Sequence, residues 1–435
     1  MAARRWARWL GVVWFGIGGH GLGAQDNQPM DPPPPPPGVS AVLDSSRAVR
    51  GASMAVSVFI YGPGDAVFER FGHIALAIAD AATGEDIAFN WGMFDFNQPN
   101  FLGRFLTGDT KYWMAGYPTY AFNTAYQAQN RTIRQLRLNL TPVQRGALAD
   151  FVAWNAQERN KYYRYDYYRD NCATRVRDAL DWVLGGAVRR ALDVPGAGRS
   201  WRGETARITA SDLPVFAGIQ VALGRNADQP LSRWDEGFLP EYLGASLPTV
   251  VVNGQSLVAG NATLFEATRE PMPATAPKRI VGALVVGLLL AALISLLDAR
   301  PTPVTTRLLT GIGTCWYAVG GILGTVLLLA ATVTKHAPYM GANLTLMLVH
   351  PLWLLTAVLW PKRNAAGRLG RAAAALAVLL MVLSTAGALL ALFPAWRQGS
   401  AVVMAVVLPV TQALGLIGWR LLGVARGVAP RAMLA

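Results

Sequence analysis

Between residues 25 and 277 the chain has one cysteine, Cys172, and one histidine, His73. A thiolate is a strong nucleophile, and a neutral imidazole within reach of a thiol can take its proton. Such a pair opens esters and amides through an acyl–sulfur intermediate. The only other cysteine, Cys315, falls in a long apolar run, where it reads as a small buried hydrophobe. Cys172 therefore has no disulfide partner to expect within the chain, and its thiol is either inert and buried or used.

The elements that must position these two groups are legible. Downstream of Asp170-Asn171-Cys172-Ala173-Thr174-Arg175, the apolar residues Val176, Ala179, Leu180, Val183 and Leu184 keep helical spacing, and Gly185-Gly186 ends the run. Asn171 or Asp170 caps this helix, which places Cys172 in its first turn. There the helix N–H groups and Arg175, one turn on, are expected to lower the thiol pKa. His73 begins the alternating segment 73–79, a strand with Ile74, Leu76 and Ile78 on one face and His73, Ala75 and Ala77 on the other. Residues 87–93 alternate as well. Pairing the two as a hairpin around Asp80–Thr83 joins Ala88, Asn90 and Gly92 to the histidine's face and sets Asn90 opposite His73, where it would orient the ring.

Composition separates the chain into unlike parts. Mean hydropathy is +0.28, apolar residues make up 52% and charged residues 15%, too apolar for an ordinary soluble enzyme. The net charge of +13 is not spread evenly: residues 25–277 hold 23 basic against 25 acidic side chains, and residues 278–435 hold 13 against one, Asp298. The basic excess thus belongs to the apolar part, which is a membrane-topology pattern and excludes nucleic acid as the partner.

Arg4, Arg5 and Arg8, an apolar stretch and the small-residue end at Ala24 read as a secretory signal peptide over 1–24, and six prolines, Pro32 to Pro37, stiffen a linker over 25–40. Residues 41–275 are ordinary globular material. Five apolar runs follow, 280–297, 308–331, 340–360, 372–393 and 401–424, each near the roughly 17 to 25 residues that span a bilayer. Arg300, Arg307, Lys362, Arg363, Arg368, Arg371, Arg426 and Arg431 lie on one side, against Lys278, Arg279, Lys335 and Arg397 on the other. This bias puts the C-terminus in the cytoplasm and the globular part outside it, in agreement with the signal peptide. Of the two histidines in this region, His350 falls near the middle of the third run and His336 in the loop after the second; either is open to a role or to simple satisfaction by its neighbours.

Phe71-Gly72-His73, the segment Asn90-Trp91-Gly92-Met93-Phe94, Asn130-Arg131, the string Asp170-Asn171-Cys172-Ala173-Thr174-Arg175 and the downstream segment 234–240 together resemble the Lnb N-terminal periplasmic domain family. The order of histidine on a strand and cysteine on a later helix is also similar to that of circularly permuted papain-like (NlpC/P60-like) thiol enzymes. The resemblance implies an α+β catalytic domain ahead of the all-α membrane bundle. It implies a bacterial inner-membrane acyltransferase that moves a fatty acyl chain from a phospholipid, through a thioester on Cys172, to the N-terminal cysteine amine of a diacylglyceryl lipoprotein. His73 would be base and later acid, and Asn90 its orienter, with Glu85 and Asp95 as rivals. Arg175, Asn171 and Arg131 would hold the site or a phosphate head group.

Three other readings stay open: a cell-wall peptidase or amidase with the same Cys–His chemistry, a phospholipase in which water resolves the acyl-enzyme, and a binding protein that keeps the fold without chemistry. No metal-ligand spacing, phosphate loop or nucleotide fingerprint is present in the sequence, so no cofactor is expected. The tyrosine-rich stretch 162–168 would either pack beneath the cysteine helix or line an acyl groove, and Asn253-Gly254 reads as a hairpin turn.

Overall fold

The computed structural model describes residues 40–425, and the expected signal peptide and most of the proline linker lie outside the described residues. Two compact units emerge. The first joins residues 40–209 to Pro230–Thr275, and the second joins Ala210–Gln229 to residues 276–425.

The first unit is α+β. Its centre is a seven-stranded sheet in the order β6-β4-β3-β2-β1-β5-β9, with every neighbouring pair antiparallel. The strands are β1 (Met54–Tyr61), β2 (His73–Asp80), β3 (Glu85–Met93), β4 (Lys111–Pro118), β5 (Ile133–Leu138), β6 (Tyr162–Arg164) and β9 (Val258–Phe265). A small separate hairpin, β7 (Val251–Val252) with β8 (Gln255–Ser256), turns on Asn253 and Gly254, both at positive φ, as the Asn-Gly pair predicts. The helices that matter for the site are α1 (Ser40–Ala52), α2 (Phe101–Thr107), α3 (Thr119–Ala128), α4 (Pro142–Asn155) and α5 (Cys172–Val183).

Alternation along the strands divides the core into two layers. Val56, Val58, Ile60, Ile74, Leu76 and Ile78 face α4 and α5, where Leu148, Val152, Val176, Ala179 and Leu180 meet them. Phe59, Tyr61, Ala75, Ala77 and Ala88 form the opposite face, covered by Phe122 and Tyr126 of α3. The face expected to be small and polar is thus roofed by aromatic rings. The β2–β3 turn is one residue later than expected. Asp80 pairs with Glu85, Gly84 closes the turn at φ +76°, and the register sets Asn90 against Ala75. Parity holds, so Asn90 still shares its face with His73.

The second unit is helical. It opens with the short helix α6 (Leu213–Ala222), and four of its described helices are long and apolar enough to cross a membrane: α7 (Ile280–Ala299), α8 (Pro303–Val333), α9 (Arg368–Leu390) and Ala401–Gly423 of α10 (Ala401–Ala425). The expected span 340–360 is not one helix. It is broken into Ala337–Met340, Thr345–Leu348 and Leu352–Leu359, because Pro351 cannot donate a helix hydrogen bond and Ala342 turns at positive φ. The irregular backbone is held by α8. Gly321 and Gly324 lie so close to it that a Cβ at Gly324 would stand 2.2 Å from the Val349 carbonyl oxygen, while Gly313 and Gly320 make room for the rings of Trp360 and Trp353. His350 Nδ1 accepts from the Leu352 N–H at 3.1 Å, an end-cap for the last piece. Cys315, expected to be buried, is exposed on α8.

The continuous globular stretch expected over 41–275 is interrupted. Residues 210–229 cluster with the helical unit, where Asn343 Nδ2 donates to the carbonyls of Val221 and Ala222 at the end of helix Leu213–Ala222. Gln398, buried, ties the same corner together through Asn343 Oδ1 at 2.8 Å and the Leu344 N–H at 2.9 Å.

Candidate active site

His73 is the first residue of β2 and Cys172 the first of α5, and both elements start at the same end of the sheet. The Ile74 N–H, next to the histidine, points at the Cys172 sulfur together with the N–H groups of Cys172 and Ala173. At the same place β3 carries Gly92 at φ +98°, where the β3–β4 register also shifts. A Cβ built on Gly92 would lie 3.8 Å from Cys172 Cβ and 3.9 Å from the ring of Tyr165. Glycine is required there by the backbone angle, and the missing side chain leaves the thiol's flank of the sheet open.

α5 starts where it does because Asn171 caps it. Asn171 Oδ1 accepts from Ala173 N–H at 2.8 Å and Thr174 N–H at 3.0 Å, while Thr174 Oγ1 accepts from the Asn171 N–H at 2.7 Å. A cap of this kind contributes about 1 kcal/mol. Asn171 Nδ2 donates to the carbonyls of Tyr167 and Phe238, so the whole amide is occupied in placing the cysteine. The downstream segment latches the same helix: Arg177 Nη1 donates to the Trp234 carbonyl at 2.8 Å and its guanidinium lies 3.8 Å from the Trp234 ring centroid.

Arg175 does not reach the thiol. Its guanidinium grips Asp170 through both carboxylate oxygens, with Nη2 to Oδ2 at 2.7 Å, and stacks on Tyr163 at 4.2 Å. With its charge neutralised by Asp170, it cannot act as the thiol's cation. Burial instead pushes the Cys172 thiol up to about 11, against the pull of the three N–H groups and of Arg131. The expected depression of this pKa is reversed because desolvation of the sulfur outweighs the helix terminus.

Asn90 is fully buried beside the imidazole. Its Nδ2 donates to the Ala88 carbonyl at 3.0 Å, which fixes the amide so that Oδ1 faces His73 Nε2 at 3.1 Å. A carbonyl oxygen only accepts, so Nε2 carries the proton and Nδ1 is left as the basic nitrogen. Of the three candidates for orienter, the structure brings Asn90 to the ring. Glu85 sits at the far end of β3, paired with Asp80, and Asp95 caps its own turn through the Asn97 N–H.

Sequence reasoning missed the stack behind the histidine. Tyr126 lies parallel to His73, centroids 6.0 Å apart and planes 5° apart, and Tyr61 stacks on Tyr126 at 4.0 Å. Nothing in the spacing of α3 marks Tyr126 for this place. Arg131 caps the stack, its guanidinium 4.4 Å from the Tyr126 centroid, with Nε donating to the Gly62 carbonyl at 2.8 Å. Burial and the nearby Arg131 charge pull His73 down to about 4, despite the Asn90 hydrogen bond. At neutral pH the thiol and the imidazole are therefore both neutral. Among the described residues no group of three or more His, Cys, Asp or Glu side chains could hold a metal ion.

The comparisons with known proteins agree with this division of the chain. Residues 44–202 match the Lnb N-terminal periplasmic domain, and residues 276–418 match the Lnb transmembrane domain. No curated protein and no solved structure matches the chain.

Proposed function

Since the chain belongs to the Lnb family, a membrane protein with a periplasmic domain, we propose that it is a cysteine-dependent acyltransferase that N-acylates diacylglyceryl lipoproteins with a phospholipid as acyl donor. The observation that supports this most is the site itself: a cysteine on a capped helix terminus, set at the strand end that carries an Asn-oriented, neutral histidine.

In the reaction His73 Nδ1 takes the Cys172 proton as sulfur attacks the ester carbonyl of the donor. The S–C bond forms, the C–O bond breaks, and the proton goes to the departing lysophospholipid alcohol. The amine of the acceptor cysteine then attacks the thioester. The C–N bond forms, C–S breaks, and an amine proton returns to the thiolate by way of His73. The apolar spans support a lipid substrate, since donor and acceptor are both held in a bilayer, and the basic-residue bias supports an inner-membrane protein with its C-terminus in the cytoplasm.

The test is a two-substrate assay on the full-length protein in mixed micelles with a phospholipid and a diacylglyceryl-cysteine lipopeptide. N-acylated lipopeptide together with lysophospholipid supports the reading. Free fatty acid alone would mark a phospholipase, and cleavage of peptidoglycan fragments without lipopeptide acylation would mark a wall hydrolase.

A further inference from the structure

The connection between β3 and β4 carries an unusual surface. Phe96 is 61% exposed, Leu102 67%, Leu106 58% and Phe105 41%, and Phe68 from the β1–β2 connection joins them at 55%. A contiguous exposed apolar patch on a folded domain marks a place where something apolar binds. The rings are ordered. Phe105 stacks on Phe101 at 6.3 Å, Phe101 touches Phe94 at 6.5 Å, Phe94 touches Tyr112 at 5.1 Å, and Tyr112 stacks on Tyr165 at 4.3 Å. Tyr165 is the ring that lies 3.9 Å from the side-chain position Gly92 leaves empty, with Cys172 Cβ at 3.8 Å from the same point. The row therefore runs from an exposed patch to the nucleophile.

We propose that this patch receives the hydrocarbon chain of the lipid donor and that the ring row leads its carbonyl end to Cys172. The inference rests on the acyl-transfer reading and gives the substrate's tail a place. The surface rings are phenylalanines with no polar handle, and several meet edge to face, Phe94 on Phe96 at 4.8 Å and Phe96 on Phe101 at 5.2 Å. The one charged side chain of α2, Arg104, turns to Asp109 through the main-chain carbonyl at 3.2 Å and the carboxylate at 3.9 Å. The exposed rings and leucines themselves offer no hydrogen-bonding group, which suits an alkyl chain better than a glycan or a peptide.

The experiment uses the full-length protein in amphipol and the double variant Phe96→Ser/Phe105→Ser, both positions being surface residues outside the catalytic machinery. In the first arm, acylation of Cys172 by acetyl and palmitoyl p-nitrophenyl esters is timed by intact mass. The variant is expected to lose about tenfold or more with the palmitoyl ester and to stay within about twofold with the acetyl ester. An equal effect on both, or none, overturns the proposal. In the second arm, alkylation of Cys172 by iodoacetamide is followed with and without C16 lysophosphatidylcholine. The lipid is expected to slow alkylation in the wild type and not in the variant. Equal protection in both, or none in the wild type, overturns the proposal. If no ester acylates either protein, the acyl-transfer reading fails, and the second arm still decides whether the patch holds an alkyl chain.

Discussion

His73 Nε2 and Asn90 Oδ1 stand 3.1 Å apart, and the Asn90 amide is locked the right way round by its own bond to the Ala88 carbonyl. This one relationship fixes which imidazole nitrogen is free, and so which atom would take the thiol proton in the proposed reaction. Asn90→Asp would put a carboxylate in the same place and favour the imidazolium. The acid limb of the pH–rate profile is expected to move up from about 4, and Asn90→Ala to lower the rate without that shift. An unchanged profile in Asn90→Asp would show that His73 is not held through this bond.

The protonation state of the resting pair is also testable. The thiol is pushed up to about 11 and the imidazole pulled down to about 4. Iodoacetamide alkylation of Cys172 should therefore rise steadily with pH through 9 with no plateau near neutrality. A plateau starting below about pH 7 would mean a preformed thiolate–imidazolium pair. His73 has a stability consequence of definite sign. Its folded pKa lies below the ordinary 6.5, so between roughly pH 6.5 and 4 the unfolded chain binds more protons, and stability falls as pH drops through that window. His73→Asn should flatten this slope in a melting series.

Arg131 acts on both groups at once, from behind Tyr126. Its positive charge disfavours the imidazolium and favours the thiolate. Arg131→Met is expected to raise the acid limb towards 6.5 and to slow thiol alkylation at a given pH, and Arg131→Lys to preserve both. If the two Arg131 variants behave alike, its hydrogen bond to Gly62, not its charge, is what matters.

The buried Arg175–Asp170 pair holds the helix start in place, with two of the guanidinium nitrogens on the carboxylate. Arg175→Met alone would strand a buried carboxylate, at a cost of about 3–5 kcal/mol. Arg175→Met/Asp170→Asn should recover much of that stability. Thermal melting of the two singles and the double gives the coupling. A single variant that keeps its melting temperature while weakening lipid binding would restore the head-group role to Arg175.

Residues 210–229 give the fifth prediction. They cluster with the membrane helices, and the short helix Leu213–Ala222 is apolar but for Gln220. A fragment ending at Thr275 keeps this helix but loses its partners Asn343 and Gln398. It should aggregate unless residues 210–229 are replaced by a short polar linker, which size-exclusion chromatography of the two fragments decides.

Much of this was readable from residue patterns where a single physical rule governs. Parity along β2 and β3 placed His73 and Asn90 on one face for any turn of even length, and the Asn171 cap and the apolar spacing after it fixed Cys172 in the first turn of α5. What escaped was set by tertiary contact. The register slid because the turn closed at Gly84. The thiol pKa rose because burial of the sulfur outweighs the N–H groups around it. Pro351 and the α8 glycines broke the third apolar run, since apolar composition reports the environment and not the continuity of the helix. Tyr126 and the Phe96–Phe105 surface carry no spacing signal and emerge only when α2 and α3 fold back on the sheet.

The central claim is a thioester on Cys172, and the most direct test is the intact mass of the full-length protein after incubation with phospholipid, beside Cys172→Ala. A fatty-acyl increment that hydroxylamine removes and that the variant never acquires is the predicted result. An unmodified wild type under conditions in which lipopeptide is still acylated, or an increment that persists in Cys172→Ala, would contradict it.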